Sequence, residues 1–73
     1  MDIKLQFGMR LRYLREQKGW SQEKLALNSD INKNYISDLE NGRRNPTLEI
    51  LERLAVAFDI PLSELLKGIM SIR

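Results

Sequence analysis

Between Lys33 and Asn41 the chain places Lys33, Asn34, Ser37, Asp38 and Asn41, side chains that exchange hydrogen bonds and carry almost no apolar bulk. At about 100° per helical residue, with Lys33 at the origin, Ser37 falls at about 40°, Asn41 at about 80°, Asn34 at about 100° and Asp38 at about 140°. Ile36 and Leu39 fall at about 300° and about 240°, on the other side. One face of such a helix is wholly polar. Its chemistry suits the edges of nucleobases: Asn pairs bidentately with adenine, Lys donates to guanine, Ser serves either, and a carboxylate accepts from cytosine N4. A face that is only solvated more often carries Glu/Lys pairs at i,i+4.

Catalysis finds little to work with. The chain has no Cys and no His, which excludes thiol nucleophiles, imidazole acid–base chemistry and the usual zinc sites. No Gly-rich phosphate loop occurs, and no Ser has a His to activate it. An enzyme is not expected, nor a metal or cofactor.

The elements that must position the polar face read as helix after helix. Seventy-three residues suffice for one small core. Apolar residues make up 42% and charged residues 30%, a globular balance. The spacing predicts helices over about 3–18, 22–28, 32–40, 47–58 and 61–67, joined by short loops into a single all-α domain spanning 1–73. Asp2, Ser21, Asn32 and Thr47 suit N-caps, and Gly19, Gly42 and Gly68 suit helix ends. Ile3, Phe7, Leu11 and Leu14 line the first helix; Leu48, Leu51, Leu54, Ala55 and Phe58 line the fourth. Trp20 belongs with Phe7 and Phe58 in the core, and Ala26 supplies a small residue where the second and third helices cross. Gly8 interrupts the first helix and points to close approach of a neighbour, or to a later start.

Residues 1–46 hold nine Lys/Arg against six Asp/Glu, and residues 47–73 three against four. A basic front suits a polyanion, although a solvated surface shows such gradients too. The longest apolar run, Leu54–Phe58, is far short of a membrane span. The basic, periodic pattern starts almost at Met1 without a secretory apolar region, so a cytoplasmic protein is expected.

The run Ser21-Gln22-Glu23-Lys24-Leu25-Ala26, followed by Tyr35-Ile36-Ser37-Asp38-Leu39-Glu40-Asn41-Gly42-Arg43-Arg44-Asn45-Pro46-Thr47, resembles the Cro/C1-type (Xre) helix-turn-helix family. The resemblance covers about Phe7 to Leu66, and in a compact single-domain chain of this length it extends to the controller proteins of restriction–modification systems. It implies a five-helix bundle of the lambda-repressor-like type that binds an operator in double-stranded DNA and regulates transcription, with RNA polymerase as a further partner.

By the same resemblance Lys33, Asn34 and Ser37 read bases, with Asp38 the next candidate. Gln22, Tyr35, Asn41, Arg43 and Arg44 grip phosphates, Gln22 also bracing the third helix. Arg15 pairs with Glu40 across the core. Arg43 and Arg44 also fit a solvated loop, Tyr35 a structural flank, and Asp38 a local helix charge or an electrostatic gate. The chain departs from the family at Asp30, where Gly is usual in the turn, and at Ser29, where an apolar residue is common.

Ile60, Leu62, Leu65, Leu66, Ile69 and Met70 are more apolar residues than so small a core needs. They predict a homodimer interface, which would set two recognition helices about 34–36 Å apart on a palindromic operator. The competing function is a protein-interaction or antitoxin-like module that uses the same fold as a scaffold.

Overall fold

In the computed structural model, residues 2–69 are described. Five helices follow one another: α1 (Ile3–Gln17), α2 (Gln22–Ser29), α3 (Lys33–Glu40), α4 (Leu48–Phe58) and α5 (Leu62–Leu65). Four of them start on a side-chain cap. Asp2 accepts from the Lys4 amide, Ser21 from Lys24, Asn32 from Asn34 and Thr47 from Ile50, at 2.7–3.2 Å. Asn32 and Thr47 therefore stand just outside their helices rather than within them, because their side chains compete for the first free amides. The fifth element is shorter than its pattern predicts. Pro61 stands outside it in extended conformation, and after one turn the chain passes into Gly68 at φ 83°.

The core joins Phe7 and Leu11 of α1, Leu25 of α2, Ile36 and Leu39 of α3, Leu54, Ala55 and Phe58 of α4, and Leu65 of α5. Ile31, in the α2–α3 turn, is buried with them. Trp20 lies at the edge of this cluster, half-buried, with its ring stacked on Phe58 at 5.4 Å.

Two residues of the expected apolar stripes are not core. Leu48 is 76% exposed and Ile3 53%; both occupy the first turn of their helix, where neighbouring helices leave them uncovered. A third correction concerns the expected dimer surface. Leu65 is 0% exposed, so it closes the core of its own chain and has nothing to offer a second copy. Met70, from the same set, lies outside the described residues.

Helix α3 is held against α1 at an unusually close approach. A Cβ on Gly8 would stand 2.5 Å from the Leu39 carbonyl oxygen and 2.7 Å from that of Glu40. The glycine is what lets the end of α3 rest directly on the α1 backbone.

Candidate nucleic-acid interface

Burial of Ile36 and Leu39 fixes the rotation of α3. With those two inward, Lys33 and Asn34 are exposed and Ser37 and Asp38 half-exposed, while Asn41, Arg43 and Arg44 continue the surface past the helix end. The Asn34 amide donates to Asn32 Oδ1, which sets the first turn carrying Lys33 and Asn34. At the other end, Asn41 Nδ2 donates to the Ser37 carbonyl at 2.8 Å.

An ion pair holds the inner side of this helix. Arg15 of α1 donates from Nε to Glu40 Oε2 at 2.6 Å and from Nη2 to Oε1 at 3.0 Å, a bidentate arrangement. Its third donor, Nη1, reaches the Trp20 carbonyl at 2.8 Å. Gln22 Nε2 at the start of α2 also donates to Glu40 Oε1, at 3.0 Å. One carboxylate thus ties α1, α2 and α3 together. The hydrogen bond to Glu40 pushes the Arg15 pKa above its ordinary value, against burial, which pulls it down. The amide nitrogen of Gln22 keeps one hydrogen for another acceptor.

Beyond α3 the chain turns at Gly42, φ 72°, where a Cβ would run into the Leu5 side chain. The Arg43 amide then donates back to the Asp38 carbonyl at 2.9 Å. This return brings both arginines to the Asp38 carboxylate: Arg44 Nε donates to Oδ2 at 3.2 Å, and Arg43 Nη1 lies 3.8 Å from Oδ1. The Arg44 guanidinium also sits 5.0 Å from the centroid of the half-buried Tyr35 ring. Lys33, Asn34, Ser37 and Asp38 therefore follow one another on the open side of α3, Asn41, Arg43 and Arg44 continue past its end, and Tyr35 joins them at the edge through Arg44.

The turn before α3 shows how its two departures from the family pattern are accommodated. Asp30 takes the left-handed conformation, φ 56° and ψ 41°, as C-cap of α2, a region that Asp enters more readily than most side chains. Ser29 is buried, yet its hydroxyl donates to the Leu25 carbonyl at 2.7 Å, so this side chain's own hydrogen is met. Arg53 of α4 donates to the Asp30 carbonyl at 3.3 Å, and Ile31 anchors the turn in the core. Sequence reasoning passed over Arg53 and Ile31; the one available signal was a lone isoleucine amid Ser29, Asp30 and Asn32.

Residues 11–65 match the family described as helix-turn-helix. The chain belongs to the Cro/C1-type helix-turn-helix family of transcription regulators. This helix-turn-helix chain is 44% identical over 69 residues to the control protein C.MunI of a Mycoplasma species, with 93% of each covered. It is 41% identical over 66 residues to the control protein C.BamHI of Bacillus amyloliquefaciens, covering 89% of this chain and 82% of that one. Its structure superposes on the crystal structure of the restriction-modification controller protein C.AhdI from Aeromonas hydrophila with a TM-score of 0.83 at 45% identity. That match covers 85% of this chain and 94% of the other. The all-α, lambda-repressor-like architecture is thereby shown, and within it α2 and α3 form the helix-turn-helix.

Among the described residues of this family member, no group of acidic side chains could hold a metal ion. No described helix is long and apolar enough to cross a membrane.

Proposed function

We propose that this helix-turn-helix regulator lays α3 in the major groove of a palindromic operator, binds it as a homodimer, and controls a restriction–modification operon. One observation carries the reading: the polar strip of α3 stands open to solvent and runs into two arginines at its end. Lys33, Asn34 and Ser37 supply donors and acceptors for base edges. Arg43, Arg44, Asn41, Tyr35 and the free amide hydrogen of Gln22 supply phosphate contacts, which position the helix without reading sequence. The proposal includes a cytoplasmic location for this regulator. The operon assignment rests on likeness along nearly the whole chain to two control proteins and to a protein described as a restriction-modification controller.

Base and phosphate roles separate in a randomised duplex library. Asn34→Ala is expected to lose about 1–3 kcal/mol concentrated at one base pair. Arg43→Ala is expected to weaken binding to all sequences alike and to flatten the salt dependence. Uniform losses from both variants would remove direct readout by Asn34.

For the dimer, the buried Leu65 gives way to side chains that remain at the surface. Leu62 and the half-buried Ile60 adjoin Leu48 and Val56 on the outer face of α4, where Val56 is 72% exposed. An apolar patch of this kind on so small a chain fits an interface. Sedimentation at micromolar concentration is expected to give twice 8.6 kDa, and Val56→Asp to return the monomer with its helices intact. A wild-type chain that sediments only as monomer disproves the homodimer. Where the bound dimer activates, the exposed Glu23 and Leu27 of α2 leave a surface for RNA polymerase.

A further inference from the structure

We propose that Asp38 is a positioning residue that holds the Arg43–Arg44 arm as an internal substitute for a DNA phosphate, so that a duplex must draw the arginines away from it. The proposal rests on the DNA-binding reading and adds a control on how strongly the arm grips. Asp38 sits on the last turn of α3, half-exposed, with its two oxygens divided between the two arginines at 3.2 Å and 3.8 Å. The backbone bond from the Arg43 amide to the Asp38 carbonyl keeps the loop beside this carboxylate. On its other side Arg44 rests over the Tyr35 ring, so the guanidinium is located by two neighbours at once. Carboxylate and phosphate present the same feature to a guanidinium, a pair of anionic oxygens suited to its planar fork.

Stability does not explain an acid at this place. Arg43 and Arg44 are 69% and 52% exposed as side chains, and exposed ion pairs contribute little to folding. Asp38 touches neither the Arg15–Glu40 pair nor the Arg53 contact. What it changes is charge. Two arginines beside one carboxylate carry a net charge of one toward the duplex, and each neutralised phosphate steepens the salt dependence of binding by about one unit of slope. The carboxylate acts through the two arginines that it holds. Its effect is therefore to lower non-specific adhesion while leaving both arginines close to where phosphates will lie.

The test compares the full wild-type chain with Asp38→Asn and Asp38→Glu. Each is titrated across a range of salt onto a duplex selected by the wild type from a random library, and onto a scrambled duplex of equal length. Asp38→Asn is expected to bind the scrambled duplex about three- to tenfold more tightly at low salt, with a slope steeper by about one. Asp38→Glu restores the charge and is expected to behave nearly as the wild type. With Arg43 and Arg44 both replaced by Ala, adding Asp38→Asn should change nothing, because the carboxylate has no arm left to hold. Asp38→Ser makes the same comparison if the amide disturbs the last turn of α3.

Unchanged or weaker binding of the scrambled duplex by Asp38→Asn overturns the proposal; a loss confined to one base pair of the selected site makes Asp38 a base reader instead. A gain that persists without the arginines overturns it too. A wild type that binds neither duplex sinks the DNA-binding reading itself, and this inference with it.

Discussion

Replacing Glu40 with alanine is expected to cost about 3–5 kcal/mol of stability, the range found when one partner of a buried pair is removed. The side chains of Arg15 and Glu40 are 12% and 3% exposed, so water cannot take over the role of the missing carboxylate. Arg15 would keep only the Trp20 carbonyl, and the Gln22 amide would lose its acceptor. Against a total stability of about 5–15 kcal/mol, the melting temperature should fall by about 12 °C or more for a chain of this size. Far-UV circular dichroism during heating measures it. Glu40→Gln keeps the shape and one acceptor oxygen and should lose less. Replacing Arg15 and Glu40 together by Met and Leu removes the stranded charge and should recover part of the loss. An unchanged melt for Glu40→Ala would put this pair on a par with exposed ones.

Gly8→Ala is the second large effect, and here the sign itself is informative. In a free helix interior alanine is favoured over glycine by about 1 kcal/mol. At Gly8 the added methyl would meet the backbone oxygens of Leu39 and Glu40 at 2.5 Å and 2.7 Å, and backbone cannot swing aside as a side chain does. Helix α3 must move off α1, and with it the Arg15–Glu40 pair. Overpacking of this kind costs about 1–3 kcal/mol beyond the lost fit. After the helix gain is set against it, a net loss of up to about 2 kcal/mol is expected, lowering the melting temperature by up to about 10 °C and weakening operator binding because the polar face of α3 moves too. A stabilised Gly8→Ala chain would show that the two helices have room to spare.

Both effects depend on contacts that differ in how far they could be read beforehand. Caps were legible because they are local: Ser21 and Thr47 act on amides three residues ahead. The rotation of α3 was legible for a similar reason, since Ile36 and Leu39 define an inward side by spacing alone. The Arg15–Glu40 pair, 25 residues apart, was accessible only through the family resemblance. The bond from Arg10 to the Glu64 carbonyl, 54 residues apart, carried no signal in spacing or composition. Nor did the meeting of Arg44 with Asp38, because it depends on the chain turning back at Gly42.

By itself the sequence determined that helices form in these five places, each beginning within one residue of the expected start, and that α3 carries amides and a hydroxyl on the side opposite Ile36. Those properties follow from the 3.6-residue period and from bonds within one turn, which hold whatever lies nearby. Only the tertiary structure decided that Leu65 faces inward while Leu48 and Val56 face out, that Gly8 sets the spacing of α1 and α3, and that Asp38 holds two arginines. Periodicity gives the angle of a side chain about its own helix axis. Which stretch of that axis a neighbour covers is set by the packing of all five helices at once.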